Sequence, residues 1–508
     1  MEASEVATGS IYLTLQNILS TVIGAVGLAF LARIITQEDM GVLAILSLLL
    51  AVIQIISGFA VTQALAKYVA ELKGKGEDFS AHFLSALTLK ASSALIICLI
   101  FYPISEIVSS TLLKSTSLHV LIKLALLDAF ISAFIPVFSS LLLGVGLLRR
   151  MALCNIFSSI ARWTGIVTFA YLGYGLYGAV LGWVVGDLFG AVIYAVVSVS
   201  LVRIDGDMFR KSVRLIHPLL GFSWPLLVAS IVAFIYARYD QALVIAFLPL
   251  GDVGVYNISC KAFGVISGIA LALGQSLFPY YGMTYGKGRH EDISNAIRRA
   301  SRYMMLIMFP LSLGLASTAR PVITLFAGNQ YEPGWSVLAI MSVFGLVYGI
   351  QPAFSGLLII YERTKTVMFI NIMSVLVSLV LLPIVGILGL NGLALIKGIS
   401  LLATLILNVI FVSKVVRVEV DREVLAKASA SASIMATVVF FIQQVYYSKF
   451  LLPFYVLAGA ATYFLGIRAL KVVDDSDIQL LTQIIGERSA LLIGRIAGCK
   501  RDNRKRRV

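Results

Sequence analysis

Six basic side chains fall inside long apolar stretches of this 508-residue sequence, where charge is rare. A charged side chain near the centre of a bilayer costs at least about 2.5 kcal/mol, so such residues usually face protein or a water-filled cavity. The same stretches hold three acids, Asp128, Asp187 and Asp240. Three cations therefore lack a counter-charge even if every acid finds a partner. The six cations are Lys90, Lys123, Arg162, Arg238, Lys261 and Lys397.

This charge balance predicts a hydrated cavity of positive potential that attracts an anionic head group such as a diphosphate. Arg162 and Arg238 can hold phosphate oxygens through two parallel N–H bonds, whereas lysines act as point charges. Arg33, at the end of the first apolar stretch, either contacts cargo or anchors the helix at the interface. The expected cargo-binding residues are Arg162, Lys261, Arg238, Lys90, Lys397 and Arg33.

Three residues, Asp240, Asp128 and Lys123, are candidates for coupling or gating. Arg238 and Asp240 are near neighbours in one stretch, so they either neutralise partners on other helices or act in gating and cargo contact. Lys123 and Asp128 lie toward the outer end of their stretch. A lysine there can also extend toward water or pair locally, and both alternatives stay open.

The elements that carry these residues are membrane helices. The chain is 59% apolar and 13% charged, whereas soluble domains contain roughly 25% charged residues. Apolar stretches of about 20 residues, enough to cross a bilayer as a helix, recur along nearly the whole chain. The sequence therefore predicts an all-α polytopic membrane protein with about 14 transmembrane helices.

The basic residues between the spans predict the orientation. With the amino terminus in the cytoplasm, 30 of the 40 basic residues lie on the cytoplasmic side, six lie in spans, and four lie outside. The outside four are Arg33, Lys114, Arg320 and Lys449. Such an asymmetry satisfies the positive-inside rule. We expect a multi-pass protein of the cell (cytoplasmic) membrane with both termini in the cytoplasm.

An internal repeat appears at an offset of 212 to 214 residues. EDMGVLAI (38–45) matches GDVGVYNI (251–258), and GLYGAVL (175–181) matches GLNGLAL (389–395). Such a repeat defines the architecture. It predicts a first six-helix bundle at 1–205, a second at 206–418, helices 13 and 14 at 419–470, and a cytoplasmic amphipathic and basic tail at 471–508.

Parallel repeats are typical of transporters that bind substrate between their halves and rock to give alternating access. The sequence contains no phosphate-binding loop, metal-ligand cluster or catalytic triad. We therefore expect a transporter and no enzyme, with no cofactor and no metal. The energy must come from an ion gradient, the membrane potential or the cargo's own gradient.

Several ordered motifs resemble the multidrug/oligosaccharidyl-lipid/polysaccharide (MOP) exporter superfamily, and within it the O-antigen-type polysaccharide-biosynthesis flippases. The resemblance implies a V-shaped twelve-helix core that flips a lipid-linked, phosphate-bearing saccharide from the cytoplasmic to the outer leaflet. The motifs are LARIITQEDMG (31–41), GFAVTQALAKYVAE (58–71), FSWPLL (222–227), ARYDQALVIAFL (237–248) and GVYNIS (254–259).

Two other functions stay open. A cation-coupled multidrug or small-molecule antiporter of the same superfamily normally needs buried acids in the first copy. The first, second, third and fifth predicted spans, at 9–33, 41–65, 82–104 and 152–172, contain none. A non-transporting scaffold for a glycosyltransferase is the other. The expected partners are a lipid-linked anionic saccharide and membrane lipids. H⁺ or Na⁺ is the candidate coupling ion, a glycosyltransferase or polymerase is a candidate protein partner, and no nucleic acid is expected.

Overall fold

The chain folds into α-helices joined by short turns, with no β-strand among the residues that the structure describes. The predicted all-α fold is confirmed. The structure is a computed structural model, and nearly all of the predicted amphipathic and basic tail lies outside its described residues. These are residues 3–113, 115, 118–203, 207–287, 290–418 and 420–472.

Eighteen α-helices are found in these ranges. The first nine are α1 Ala3–Ile34, α2 Gln37–Gly58, α3 Val61–Lys75, α4 Ser80–Leu112, α5 His119–Ser132, α6 Phe134–Val145, α7 Leu148–Phe169, α8 Gly175–Val199 and α9 Met208–Phe247. The others are α10 Leu250–Gly286, α11 His290–Ser317, α12 Ala319–Phe326, α13 Trp335–Ile350, α14 Pro352–Ile360, α15 Thr364–Val380, α16 Pro383–Ser413, α17 Arg422–Val445 and α18 Leu452–Ala469.

Within the described ranges, 12 helical stretches are long and apolar enough to cross a membrane. One of them, Leu148–Val199, contains both α7 and α8, and Thr364–Val380 is an additional shorter apolar helix. The predicted count of about 14 therefore holds approximately. The protein is a multi-pass membrane protein.

Two compact units, Met1–Asn257 and Ile258–Val508, divide the chain. The division falls inside α10. Helix α9, assigned from the repeat to the second bundle, packs on α4 within the first unit. The repeat boundaries at 205 and 418 stay predictions, because they rest on sequence matching and not on packing.

The predicted duplication is matched by the backbone at two glycines. Gly175 follows the short π-helical turn Ala170–Tyr174 between α7 and α8 and has φ 49° and ψ −125°. Gly389, 214 residues later, has φ 53° and ψ −128°. Residues with a Cβ rarely adopt positive φ, so the repeated glycine allows the same turn in both copies.

The last two described helices are attached to α11. Helix α17 packs on both α11 and α18. Arg302 of α11 forms an ion pair with Asp421, 2.9 Å long, and the Tyr463 hydroxyl donates to the carbonyl of Leu306 at 2.9 Å. Burial acts to raise the pKa of Asp421, but the Val424 N–H and the Arg302 guanidinium lower it overall.

Candidate functional site

Helices α7 and α8 approach each other very closely. A Cβ at Gly186 would overlap the Cα of Arg162, and a Cβ at Gly182 would overlap the backbone of Ile166. Small residues every fourth position let membrane helices pack backbone against backbone. The contacts pair the helices in antiparallel order, through a row made of Gly178, Gly182, Gly186 and Gly190.

This packing places Arg162 beside Asp187, the residue that follows Gly186. Arg162 Nη1 lies 2.7 Å from Asp187 Oδ2. The Asp187 side chain is 6% exposed, whereas the Arg162 side chain is 36% exposed. The guanidinium also lies over the ring of Trp183, 5.6 Å from its centroid. One end of the ion pair is therefore buried and the other is accessible.

A second carboxyl joins this pair from α5, which packs on α8. Asp128 is 1% exposed, and its carboxyl lies within hydrogen-bonding range of the Asp187 carboxyl. Its Oδ1 atom has no hydrogen-bond partner in the described part of the chain. We call Asp128, Arg162 and Asp187 the charged triad. Two carboxyls can share a hydrogen bond only if one of them carries a proton.

An adjacent face of α7 packs on α1. The Trp163 ring fills the space beside Gly27, where a Cβ would overlap it. The Asn155 amide donates to Gln16 Oε1 at 3.2 Å, so these polar residues hold two helices together. Because α7 is held on two sides, the position of Arg162 is fixed by helix packing.

Lys90 is buried away from the triad, with 3% of its surface exposed. Its Nζ donates to the carbonyl of Gln54 at 3.2 Å and to Ser57 Oγ at 3.1 Å. These residues form the last turn of α2, which ends before Phe59 and Ala60 in the left-handed conformation. A helix carboxyl end carries partial negative charge. The predicted cargo role of Lys90 stays a prediction, and its contacts are those of a helix cap.

Arg238 and Asp240 lie on α9 but make different contacts. Arg238 Nη1 donates to Gln241 Oε1 at 3.0 Å. Asp240 is 7% exposed and accepts a hydrogen bond from the Tyr256 hydroxyl at 3.0 Å. Asp240 therefore links α9 to α10, while Arg238 is held by its own helix. Their proposed parts in gating and cargo binding remain predictions.

Lys123 and Arg33 lie outside the charged triad. Lys123 Nζ is 4.8 Å from the centroid of the Tyr102 ring, a cation–π contact between α5 and α4. Arg33 is an exposed side chain in the last turn of α1. Asp128, which follows Lys123 on the same helix, lies beside Asp187 of α8.

Lys261 and Lys397 belong to the second unit, on α10 and α16. The Lys261 side chain is exposed and the Lys397 side chain is half-buried. The structure thus brings together Arg162 and Asp128 of the predicted site. It adds Asp187, which the sequence identified as a buried acid without a role. The glycines that recur every four residues in α8 are a sequence signal for close helix packing. They could have been used to predict that α8, and with it Asp187, packs against α7.

A multi-pass helical protein with charged side chains held between its spans is typical of a membrane transporter. The chain belongs to the family described as polysaccharide biosynthesis protein, whose model matches residues 30–336.

Two relatives have descriptive names. The chain is 22% identical over 437 residues to the probable low-salt glycan biosynthesis flippase Agl15 of Haloferax volcanii, covering 86% of this chain and 89% of the relative. It is 24% identical over 328 residues to the succinoglycan biosynthesis transport protein ExoT of Rhizobium meliloti, covering 63% of each.

Solved structures share the fold at low sequence identity. The lipid II flippase MurJ in an inward closed conformation matches with a TM-score of 0.73 at 15% identity, over 91% of this chain and 98% of MurJ. An inward-facing multidrug resistance transporter of the MATE family matches with a TM-score of 0.62 at 15% identity, over 80% and 97% of the two chains. These matches show that the chain shares its fold with these two proteins.

Proposed function

We propose that this protein flips a lipid-linked oligosaccharide, carried on a polyprenyl phosphate or diphosphate, from the cytoplasmic to the outer leaflet by alternating access. The flipped unit serves polysaccharide or glycoconjugate biosynthesis. The observation that carries the proposal is the match to a glycan biosynthesis flippase along 86% of this chain. Family membership over residues 30–336 points to the same process.

The cargo's phosphate is the part that the span cations recognise. Arg162 is partly exposed, and helix packing fixes its place on α7. Its guanidinium can therefore donate hydrogen bonds to a phosphate while the lipid tail stays in the bilayer. Lys261 of α10 is the second contact of this proposal. Arg238, Lys397 and Arg33 complete the proposed cationic path.

Proteoliposomes that contain a fluorescent polyprenyl-diphosphate oligosaccharide test this proposal. Wild type should move the label to the opposite leaflet, and Arg162→Gln and Lys261→Gln should fold but move it much more slowly. Arg150→Gln is the matched control, because Arg150 is an exposed arginine near the start of the same helix. It should transport like the wild type.

Other results of this transport assay would indicate other functions. A wild type that ignores this lipid but exports organic cations is a multidrug antiporter. A wild type that transports neither, yet recruits a glycosyltransferase, is a scaffold. Equal transport by wild type and both glutamine variants leaves the flippase intact but removes the cationic path.

The proposal also places both termini in the cytoplasm of a cell whose cytoplasmic membrane holds the protein. The support is the excess of basic residues on one side of the spans. A reporter enzyme that is active only outside the cytoplasm, fused after residue 508, should stay inactive. The same reporter inserted after Gly328, in the connection after α12, should be active. A polymerase or glycosyltransferase is the proposed protein partner.

A further inference from the structure

The charged triad contains more acid than base, and its acid is buried. With all three groups ionised, Asp128, Asp187 and Arg162 would leave one net negative charge where Asp128 is 1% exposed. An unpaired buried carboxylate is strongly disfavoured, and Asp128 Oδ1 has no hydrogen-bond partner in the described residues. One shared proton removes that charge. It also allows the two carboxyls to share a hydrogen bond.

The accessible member of the triad is its only cation. Arg162 is 36% exposed, while its partner Asp187 is 6% exposed. An anion that reaches the site therefore meets the guanidinium first and competes with Asp187 for it. If the anion wins, the two carboxyls are left in contact without a counter-charge. The pair already shares one proton and so still carries one negative charge. It gains a second proton from water, because a buried carboxylate without a counter-charge is strongly disfavoured.

We propose that the charged triad is a proton-binding site, and that binding of a phosphate-bearing lipid head group at Arg162 is coupled to uptake of one proton by Asp128 and Asp187. Before binding, the carboxyl pair holds one proton and Asp187 faces Arg162. After binding, each carboxyl is neutral and Arg162 faces the phosphate. This coupling rests on the proposed flippase function and names H⁺ over Na⁺ as the linked ion.

The other titratable groups near Asp128 are not placed to exchange this proton. From α4, Cys98 Sγ donates to the Leu126 carbonyl at 3.4 Å, and Lys90 is bonded to the end of α2. Helix α6 contains no titratable residue. The acids of α2 are in its first turn, whereas its contact with α5 is made by Gln54, whose amide donates to the Ala129 carbonyl at 3.3 Å.

On α5 itself, Lys123 lies more than one turn before Asp128 and contacts the Tyr102 ring. The charged group of α8 that faces Asp128 is Asp187, which forms an ion pair with Arg162 of α7. The three members of the triad are thus the charged groups that meet at this point among the described residues.

The test measures binding of farnesyl diphosphate to the full-length protein in detergent as the pH is lowered through the neutral range. Uptake of one proton per anion strengthens binding by up to about tenfold per pH unit. The diphosphate also titrates, so the slope is compared with that of the double variant Asp128→Asn/Asp187→Asn. This variant keeps the size and polarity of both side chains but has no carboxyl in the triad to take up the proton.

We expect the affinity of the wild type to rise more steeply with falling pH than that of the double asparagine variant. We also expect the wild type to take up about one proton per bound anion from weakly buffered solution. Glu106→Gln, a matched change at an exposed carboxyl of α4, should behave like the wild type. Equal pH slopes in the wild type and the double asparagine variant, or no proton uptake, would overturn the coupling.

The flipping assay separates this failure from failure of the flippase itself. A wild type that flips the lipid-linked oligosaccharide, but shows the same pH slope as the double asparagine variant, is a flippase without this proton site. A wild type that takes up a proton with farnesyl diphosphate but flips no lipid keeps the proton site and loses the proposed function. A wild type that does not bind farnesyl diphosphate at any pH overturns the coupling.

Discussion

Two helix pairs at matching places of the repeat are built differently. The pair α7–α8 packs through a glycine row and carries the Arg162–Asp187 ion pair. At the offset of 214 residues, which superimposes the turn glycines, the pair α15–α16 has Leu376 and Leu401 at those two positions. Ser400 stands at the place of Gly186 and bonds to Ser374, with 2.7 Å between the hydroxyl oxygens.

The difference shows how one architecture can serve two purposes. The second pair is held by buried hydroxyls, including Ser374, Ser400 and Thr404, which satisfy each other and leave no charge behind. The first pair uses glycine to bring backbones together and so leaves room for a guanidinium and a carboxylate side by side. We infer that the duplicated fold conserves the turn and that the ion pair gives α7–α8 a part in transport that the hydroxyls of α15–α16 do not have.

The first turns of α2 and α10 occupy matching places in the two copies and contact each other. A covalent link between them should have the largest effect on transport. Gly41 and Gly254 are equivalent in the repeat, and a Cβ on either would overlap the other helix at the first turns of α2 and α10. A Cβ at Gly251 would lie 3.9 Å from that of Gln37, within the range of a disulfide. In a cysteine-free background, oxidised Gln37→Cys/Gly251→Cys should stop transport, because alternating access separates these helices.

Reduction of that disulfide should restore transport, and the single Gly251→Cys variant should be insensitive to oxidant. The measurement is flipping in proteoliposomes before and after reduction, with cross-linking followed by protease mapping. A cross-linked protein that transports at the wild-type rate would show that α2 and α10 stay together throughout the cycle.

The next largest effect is expected from the glycine row of the first pair. Gly186→Ala places a methyl group where the Arg162 backbone lies, so α7 and α8 must move apart. Overpacking of this kind should lower the free energy of unfolding by about 3 kcal/mol. Thermal unfolding in detergent measures it. Gly264→Ala on α10 is the control, because a Cβ there meets nothing within 4 Å; equal melting temperatures would disprove the close contact.

Replacing the ion pair by the residues of the second copy should have a smaller effect on stability. Arg162→Leu and Asp187→Leu each leave one charge without its partner, and each should destabilise the fold by about 1 to 3 kcal/mol, since Arg162 is partly exposed. The double variant reproduces the leucines of α15–α16 and should regain most of the loss. Flipping should nevertheless be lost, because the guanidinium is gone.

A double-mutant cycle on thermal unfolding gives the coupling energy between Arg162 and Asp187. If the two single effects simply add in the double variant, the ion pair seen between α7 and α8 contributes nothing to the fold. In that case the difference between the two helix pairs would reflect packing alone.

Much of the fold could be predicted from the sequence, because apolar length and basic loops are properties of single segments. The family motifs, the repeat and the depth of Arg162 also came from local sequence. The partners of the charges did not: Arg162 and Asp187 are on separate helices, and their meeting depends on the rotation of α7 against α8. The capping of α2 by Lys90 could not be predicted either. Helix α2 ends before Phe59 and Ala60, which are in the left-handed conformation, and neither residue type indicates that conformation in the sequence.

The smallest effect should come from the hydroxyl network of the second pair. Ser400→Ala removes one hydroxyl that bonds to Ser374 but leaves Ser374 and Thr404 bonded to each other. Interhelical hydrogen bonds in membranes contribute about 0.6 kcal/mol on average, so the melting temperature should fall only slightly and flipping should be unchanged. Ser413→Ala, whose hydroxyl bonds only locally to the Ile410 carbonyl, is the control. Loss of flipping in Ser400→Ala with a normal melting temperature would give the hydroxyl network itself a role in transport, and the two pairs would no longer differ in that respect.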